Sequence, residues 1–258
     1  MAPLLTGGLF RSDRYHFFSV LDSTNQQAAR LAQEGAEPGT VVVADHQTGG
    51  RGRLGRPWSS PKGLHLYCSV VLRPAIPPRD AAQLTLVSGL AVAHTLAGIG
   101  VEDVEIKWPN DLLLKGRKVA GILTEMRTDP ARIQYVIVGI GLNVNGTETD
   151  FPEELRDKAT TLADSLRTTL DRPWLLAKML AQLDHWYGRF DREGFGPLGQ
   201  EWLAFSRLLG QPVRVNMAAD HFSGQALALD TEGCLLVRRA NGMLTRVVAG
   251  DVTRLGEG

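Results

Sequence analysis

Apolar residues in the N-terminal half of the chain fall into short continuous or alternating runs, bounded by glycine, proline and polar residues. Such runs are typical of β-strands, whereas two longer segments repeat their apolar residues with helical spacing. Residues 26–34, preceded by Asp22-Ser23-Thr24 and followed by Gly35, predict a capped helix, and residues 79–97 predict a second one. Strands are predicted at residues 40–44, 64–72, 105–108, 111–114, 117–126 and 135–143, with a hairpin turn at Lys115-Gly116.

The pattern changes twice in the C-terminal half. Three helical segments are predicted first, at residues 161–167, 173–190 and 198–208, and then short strands at residues 213–216, 223–229, 234–239 and 244–248. Turn signals separate these strands, which predicts a small barrel or barrel-like appendage. We therefore expect a main domain over residues 1–208 and a β domain over residues 209–258. Because hairpins outnumber strand–helix–strand units, the main domain is predicted to be α+β with a mixed, mostly antiparallel sheet.

Composition and charge exclude several classes of protein. The chain has 258 residues, 43% of them hydrophobic, and its 28 basic and 28 acidic residues give a formal net charge of zero. This predicts a folded protein and argues against a dedicated nucleic-acid-binding protein. Two distant cysteines, Cys68 and Cys234, offer no zinc site. The N-terminus lacks a signal-peptide pattern, and residues 84–99 are too short to span a membrane. We therefore expect a cytoplasmic protein with no DNA or membrane partner.

Residues 47–63, which we call the Gly–Arg loop, are rich in glycine, arginine and proline. Within them, Gly-Arg-Gly-Arg-Leu-Gly at residues 50–55 matches the spacing of a dinucleotide-binding loop. That interpretation fails because Arg56-Pro57 cannot open a helix and no carboxylate lies about 20 residues further on. Two interpretations remain open. The loop either closes over an anion that its backbone approaches closely, or is a solvated or RNA-contacting surface loop.

A second polar cluster lies on the predicted hairpin of residues 105–126. Two cations, an amide and a carboxylate come within reach of one pocket there: Lys107, Lys118, Asn110 and Asp111. A strand lysine can act as a point charge on a phosphate or an activated carboxylate. Asp111 could hold Mg²⁺ or orient a lysine. Taken alone, Lys118 could equally be an exposed strand lysine, and Gly121 could mark a β-bulge.

The chain resembles the biotin protein ligases in four segments. They are the Gly–Arg loop, the hairpin of residues 105–126, Ser23-Thr24-Asn25 before them, and Val-Gly-Ile-Gly-Leu-Asn-Val-Asn at residues 138–145 after them. The resemblance is strong over residues 17–145 and weak over the C-terminal β domain. It implies a catalytic domain similar to class II aminoacyl-tRNA synthetases and an SH3-like C-terminal domain. It also implies a two-step reaction, in which biotin and MgATP form biotinyl-5′-AMP and an acceptor lysine then attacks this mixed anhydride.

The resemblance implies roles for residues at matching positions. Lys118, Arg51 and Arg53 would be the catalytic cations, and Asp111 would be the Mg²⁺ ligand. The residues expected to bind biotin are Ser23, Thr24, Asn25, Gln47, Gly50, Arg51, Gly52, Arg53, Lys118 and Gly121. The residues expected to bind ATP are Arg53, Trp58, Lys107, Asn110, Asp111, Lys118 and Asn143.

The acceptor implied by the resemblance is the biotin carboxyl carrier domain of acetyl-CoA carboxylase or of a related biotin enzyme. About 20 residues precede the Ser-Thr-Asn motif, too few for the winged helix-turn-helix of many bacterial relatives, so we expect the short form without a DNA-binding domain. Exposed edges of the central sheet leave a homodimer open. The competing interpretations are a lipoate–protein ligase or octanoyltransferase, a non-catalytic biotin-responsive module, and an RNA-binding protein.

Overall fold

A computed structural model of the chain describes residues 8–129, 132–217 and 220–256. Two β-sheets define its architecture. The first sheet contains β1 (Tyr15–Phe18), β2 (Val41–Ala44), β3 (Leu66–Leu72), β4 (Val104–Lys107), β5 (Asp111–Leu114), β6 (Arg117–Thr128) and β7 (Ile133–Leu142). The helices are α1 (Thr24–Gln33), α2 (Gln83–Gly98), α3 (Leu162–Leu166), α4 (Arg172–Glu193) and α5 (Leu198–Ala204). The second sheet contains β8 (Pro212–Asn216), β9 (His221–Leu229), β10 (Leu235–Arg239), β11 (Leu244–Val247) and β12 (Asp251–Arg254).

The first sheet has the strand order β1-β2-β3-β7-β6-β5-β4, and its only parallel pair is β1 with β2 among the described residues. Helix α1 connects these two strands, because a parallel pair needs a crossover connection. The prediction of a mixed, mostly antiparallel sheet is confirmed. Strand β1 was missed, since its four residues are mostly half-buried and too few to display a period. β1 and β4 form the edges of the sheet, and the homodimer stays a prediction.

Helices cover the two faces of this sheet unequally. Helix α2 is buried on nearly all sides because it lies between one face and α4. On the opposite face, α1 packs Ala28 and Ala32 against Val42 and Val71. Its contacts are mainly with β2, β3 and β7. The part of this face over β5 and β6 is therefore left to loops, and the polar residues singled out in the sequence lie there.

One segment has the length and composition of a membrane span. Including a 3-10 turn, residues Pro78–Gly98 form 21 helical residues, so the expectation that this segment is too short is wrong. In its most apolar window, 67% is buried inside the protein. Packing between the sheet and α4 accounts for its apolar composition, as in the core helix of a soluble protein.

The second sheet is antiparallel, with the order β11-β10-β9-β8-β12. It contains the four predicted strands and one more, β12. The sequence did not reveal β12 because Asp251–Arg254 begins and ends with a charged residue and has a single buried apolar position, Val252. The predicted C-terminal β domain is present, and the division of the chain at residues 208 and 209 stays a prediction.

A buried histidine lies at the start of β3. His65 is completely buried and stacks on Phe151 at a centroid distance of 5.6 Å. Its Nδ1 accepts a hydrogen bond from the Val144 N–H at 3.2 Å, and its Nε2 has no partner among the described residues. Burial lowers the pKa of His65 to about 4, from an ordinary value of 6.5. The folded protein therefore holds His65 neutral, while the unfolded chain protonates it below pH 6.5.

We expect His65 to make stability depend on pH between 6.5 and 4. Neutral His65 makes its full contribution to the free energy of unfolding above pH 6.5. This contribution is lost as the pH falls towards 4, because the unfolded state then binds a proton that the folded state does not bind. Urea unfolding at pH 7 and pH 4.5 should show wild type losing roughly 2 to 3 kcal/mol more than His65→Asn, which keeps an acceptor but cannot ionise. Equal losses in the two proteins would contradict this assignment.

Candidate functional site

A row of directly opposed residues crosses four strands and forms the floor of a cleft. Tyr67 of β3 pairs with Gly141 of β7, Gly141 pairs with Gly121 of β6, and Gly121 pairs with Asp111 of β5. Opposed residues in an antiparallel sheet point to the same face. The two glycines therefore form a floor without side chains, with the Tyr67 phenol at one end and the Asp111 carboxylate at the other.

A β-bulge places Lys118 at this floor. Leu112 pairs with Ala120, but Leu113 pairs with Lys118, so Val119 is the additional residue. Without the bulge, Lys118 would point to the same side as Ala120, into the core. With it, Lys118 shares the face of Gly121 and Asp111. The bulge considered for Gly121 lies at Val119 instead, and Gly121 itself is in register.

The Trp58 indole lies directly on the glycine floor. A Cβ atom built at Gly141 would lie 2.4 Å from Trp58 Cε2, and one built at Gly121 would lie 2.8 Å from Trp58 Cζ3. Any side chain at either position would displace the ring. The Lys118 Nζ is 5.2 Å from the centroid of the indole, and Trp58 Nε1 has no partner among the described residues. Trp58, which was expected to bind ATP, thus occupies the cleft itself.

Uncharged polar groups form one end of the cleft. Thr24 donates its backbone N–H at 2.9 Å and its hydroxyl at 3.1 Å to Gln47 Oε1. Gln47 Nε2 donates to Ser60 Oγ at 3.1 Å, and Ser60 Oγ donates to the Trp58 carbonyl at 3.1 Å. These bonds fix the orientation of the Gln47 amide. Thr24 and Ser60 are buried, so this end presents fixed donors and acceptors to a ligand.

Ser23 and Asn25 have different surroundings. Ser23 is the N-cap residue of α1, but its side chain makes no capping hydrogen bond, so the capping explanation for this residue is wrong. Asn25 Nδ2 donates to Glu125 Oε2 at 2.7 Å, and Asn25 Oδ1 accepts from Ser69 Oγ at 2.6 Å. A Cβ at Gly139 would lie 2.0 Å from Asn25 Oδ1. Asn25 therefore connects α1 to the sheet, and its contact with biotin stays a prediction.

Charged groups form the other end. Lys118 Nζ lies 2.7 Å from Asp111 Oδ1, which also accepts from Asn110 Nδ2 at 3.0 Å. Arg53 reaches this group from the Gly–Arg loop, because its Nη1 donates to Asn110 Oδ1 at 2.8 Å. Lys107 is opposite Asp111 in the β4–β5 register. The structure therefore brings together the predicted cations, amide and carboxylate of the hairpin, and adds one arginine of the loop.

Other predicted residues are present with different surroundings. Gly50 needs to be glycine, since a Cβ there would lie 2.8 Å from the Trp58 carbonyl oxygen, whereas Gly52 has space around it. Arg51 is exposed, and its Nη2 lies 2.9 Å from the Gln26 oxygen once that amide is oriented to suit its neighbours. Asn143 is buried, and its Nδ2 donates to the Thr160 carbonyl at 3.1 Å. Asn143 supports the chain beside β6, and its ATP contact stays a prediction.

Several residues of the cleft were not assigned to it from the sequence. Gly139 and Gly141 are two positions apart, a spacing that places both on one face of a strand. This spacing of the two glycines is the feature of the sequence from which the floor of the cleft could have been predicted. Ser69 carries an aliphatic hydroxyl in the buried strand β3. Tyr67 of the same strand donates its phenol hydrogen to the Pro61 carbonyl at 2.9 Å. Burial raises the pKa of Tyr67 well above its ordinary value, so the phenol stays a neutral donor.

The carboxylate of Asp111 is the metal ligand that the sequence offers at this site. The described residues contain no group of three or more His, Cys, Asp or Glu side chains able to hold a metal ion. Magnesium commonly binds to one or two carboxylates and completes its shell with substrate phosphates and water. A single carboxylate beside Lys107 and Lys118 therefore fits magnesium that arrives with a polyphosphate, and it does not fit a preformed metal centre.

Comparison with known proteins identifies the family. Residues 17–143 match the family described as Biotin/lipoate A/B protein ligase family, and residues 208–254 match the Biotin protein ligase C terminal domain. The bifunctional ligase/repressor BirA of Bacillus subtilis is 39% identical over 238 residues, covering 92% of this chain and 72% of that protein. The chain belongs to the biotin protein ligase family.

Other members of the biotin protein ligase family agree in sequence and fold. The biotin–[acetyl-CoA-carboxylase] ligase of Paracoccus denitrificans is 35% identical, with 84% of this chain and 91% of that protein covered. The biotin protein ligase from Aquifex aeolicus in complex with biotin and ATP has 33% identity and a TM-score of 0.80, covering 93% of this chain and 98% of that one. The predicted resemblance is confirmed, as is the fold of a biotin ligase catalytic domain with an SH3-like C-terminal domain.

The glycine floor can be tested by substitution. Gly141→Ala is expected to expel the Trp58 indole and destabilise the fold by ~1–3 kcal/mol, because the new methyl group overlaps the ring. Urea unfolding and the emission of Trp58, isolated by subtracting a Trp58→Phe variant, measure both effects. Gly98→Ala in α2 is the control, since nothing lies within 4 Å of its Cβ position. Wild-type emission and stability in Gly141→Ala would show that the indole does not lie on the floor.

Proposed function

We propose that this chain activates biotin with ATP as biotinyl-5′-AMP and then transfers biotin to a lysine of a biotin carboxyl carrier domain. The observation that carries this proposal is the arrangement of the cleft. Fixed uncharged donors and acceptors lie at one end, glycines without side chains lie in the middle, and cations lie at the other end. Biotin has a ureido ring, an aliphatic chain and a carboxylate in the same order. Family membership and the biotin- and ATP-bound relative support the same reaction.

The uncharged end favours biotin over lipoate. A ureido ring offers two N–H donors and a carbonyl acceptor, which complement Thr24, Gln47 and the uncapped Ser23 hydroxyl. The dithiolane ring of lipoate has no N–H or carbonyl group. It would make no hydrogen bond to the Ser23 hydroxyl or to the Gln47 amide, and the complex would lose the roughly 0.5–1.5 kcal/mol that each such bond contributes. The lipoate alternative is therefore the less favourable occupant of this cleft.

In the first step, a carboxylate oxygen of biotin attacks the α-phosphorus of ATP. A bond forms between this oxygen and phosphorus, and the bond from phosphorus to the bridging oxygen breaks, which releases pyrophosphate. Two anions must approach each other, so fixed cations at the meeting point lower the barrier. Lys118 and Arg53 would take this role, and their contacts with Asp111 and Asn110 support the proposal.

In the second step, the acceptor lysine attacks the acyl carbon of the mixed anhydride. The new amide bond forms, the bond between the acyl carbon and the phosphate oxygen breaks, and AMP leaves. The Gly–Arg loop would exclude water from this anhydride while the acceptor is absent. The same cations would stabilise the departing phosphate, since they already lie at the end of the cleft where it is released.

Magnesium and the triphosphate belong at the charged end. Asp111 would hold magnesium together with phosphate oxygens, and Lys107 and Asn110 would contact the remaining phosphates. Magnesium supplies additional positive charge to the phosphates when it is bound. Asp111 already accepts from Lys118 and Asn110, so these two side chains orient the carboxylate for this purpose.

Trp58 must move before biotin can bind along the floor. Its indole rests over Gly121 and Gly141, where the aliphatic chain of biotin would lie. We propose that the displaced ring then covers the ligand and stacks on the adenine, in agreement with the ATP-binding role that the resemblance implies for Trp58.

A competition experiment tests the proposed function. The protein is incubated with MgATP and equal amounts of biotin and lipoate, and native mass spectrometry is combined with a pyrophosphate assay. We expect retained biotinyl-AMP with release of pyrophosphate. Lipoyl-AMP would assign the chain to lipoate chemistry, biotin retained without pyrophosphate would assign it to a sensor, and no retained ligand would contradict the proposal.

The role of Lys118 has a matched test within the same hairpin. Lys118→Ala is expected to lower the rate of pyrophosphate release by roughly 10²- to 10³-fold, because one positioned charge is lost from the site of bond formation. Its unfolding free energy should stay within about 1 kcal/mol of wild type, since Lys118 is partly exposed. Lys115→Ala removes an exposed lysine of the adjoining turn and serves as the control. Turnover of Lys118→Ala equal to that of Lys115→Ala would refute the assignment.

A further inference from the structure

The C-terminal domain contributes a carboxylate that binds two arginines of the Gly–Arg loop. Asp251 is the first residue of β12, and its Oδ2 lies 2.6 Å from Arg56 Nη2. Its Oδ1 lies 3.6 Å from Arg53 Nη1. The neighbouring carbonyl of Gly250 accepts from Arg53 Nη2 at 3.2 Å. We call these four residues, Arg53, Arg56, Gly250 and Asp251, the latch.

The latch is connected to the central lysine through a series of polar contacts. Arg53 Nη1 lies 3.6 Å from Asp251 Oδ1 and donates to Asn110 Oδ1 at 2.8 Å. Asn110 in turn donates to Asp111, which pairs with Lys118. The hydrogen bonds from Arg53 to Asn110 and to the Gly250 carbonyl, together with the ion pair to Asp251, fix its guanidinium between the domains. Its position at the charged end of the cleft therefore depends on a residue about 200 positions away in the chain.

The Asp251 carboxylate offsets repulsion between the positive charges of the Gly–Arg loop and those of the cleft. The Gly–Arg loop contains three arginines and no acidic residue. When it lies over the cleft, it brings these arginines towards Lys107 and Lys118, and like charges at this distance repel. Asp251 opposes this repulsion at the outer side of the loop. It does so without entering the cleft, where an additional carboxylate would repel the phosphates of ATP.

The backbone at Gly250 and the pairing of β12 with β8 hold the Asp251 carboxylate in position. Gly250 has a φ of 151°, and a Cβ there would lie 2.8 Å from the Asn216 carbonyl oxygen. A glycine is therefore needed for β12 to begin here beside β8. Asp251 pairs in register with Asn216, so the second sheet holds its carboxylate in place. A carboxylate on a strand is a firmer anchor than one on a loop.

We infer that Asp251 is a positioning residue for biotin activation, and that it keeps the Gly–Arg loop closed over the intermediate by binding Arg53 and Arg56. This inference rests on the proposed function and assigns a catalytic contribution to the C-terminal domain. Asp251 acts through the two arginines and does not touch the substrate. Removing its charge should therefore increase the escape of the intermediate, whereas a merely structural contact would affect stability alone.

Asp251→Asn is the variant that tests the latch. We expect it to release biotinyl-AMP about tenfold faster than wild type, which corresponds to ~1.4 kcal/mol, the scale of one charge-assisted contact. Release is measured by chasing preformed labelled intermediate with unlabelled biotin. Asp251→Glu keeps the carboxylate and should recover most of the slow release. Asp230→Asn is the matched control, because Asp230 binds Arg246 in the same domain with side-chain exposure of 22%, against 27% for Asp251.

A double-mutant cycle with Arg56 separates the latch from a general loss of charge. Arg56→Gln should speed release in the same direction as Asp251→Asn, and the combined variant should release no faster than Asp251→Asn alone, because both changes remove one contact. Additive effects would show that the two side chains act independently. Release from Asp251→Asn equal to release from Asp230→Asn would also overturn the inference.

Hydrogen exchange without ligand distinguishes failure of the latch from failure of the proposed function. The Gly52 N–H donates to the Arg56 carbonyl at 2.7 Å, and the Trp58 N–H donates to the Gly50 carbonyl at 2.9 Å. Both amides should exchange faster in Asp251→Asn than in Asp230→Asn. Faster exchange in a protein that releases no pyrophosphate would contradict the ligase function while supporting the latch. Unchanged exchange in an active ligase would contradict the latch alone.

Discussion

The close approach of the Trp58 indole to the backbone of β6 and β7 is the contact on which the site depends. It requires that Gly121 and Gly141, opposed in adjacent strands, carry no side chain. Two positions earlier in β7, Gly139 leaves the space that the Asn25 side chain occupies. The missing side chains allow a loop and a helix to meet the sheet at backbone distance. They also form the floor of the cleft on a face of the sheet that side chains would otherwise fill. The packing of Trp58 and Asn25 and the binding of a ligand therefore depend on the same glycines.

The distribution of charge then determines which part of a ligand each end of the cleft can bind. The protein has no net charge, yet Arg53 of the Gly–Arg loop and the lysines Lys107 and Lys118 of the β4–β6 hairpin lie at one end of the cleft. Asp111 inside the cleft and Asp251 outside it neutralise part of this charge while leaving Lys118 partly exposed. A fixed excess of positive charge is complementary to a triphosphate and to an activated carboxylate. The opposite end is neutral, so a ligand with one charged end can bind in the cleft in one orientation.

The sequence was sufficient for features that are local. Its apolar runs predicted the strands from β2 to β11 within a few residues, because each run is buried as one unit. It did not reveal β1 and β12, which are short and become strands by pairing with distant segments. The bulge at Val119 was also invisible, although it decides which way Lys118 points. The contacts of Asn25 with Ser69 and Glu125 were also not predictable, because only the fold brings these residues together.

The neutral end of the cleft and the Gly–Arg loop share one hydrogen-bonded chain. Thr24 binds Gln47, Gln47 binds Ser60, and Ser60 binds the Trp58 carbonyl. The amide that is proposed to face a ureido ring therefore also anchors the segment that carries the indole. A ligand that reorients the Gln47 amide must break the bond to Ser60 and free the base of the loop, whereas one that accepts its orientation leaves the loop anchored. Recognition of the ring and closure of the loop are thus decided by the same side chain.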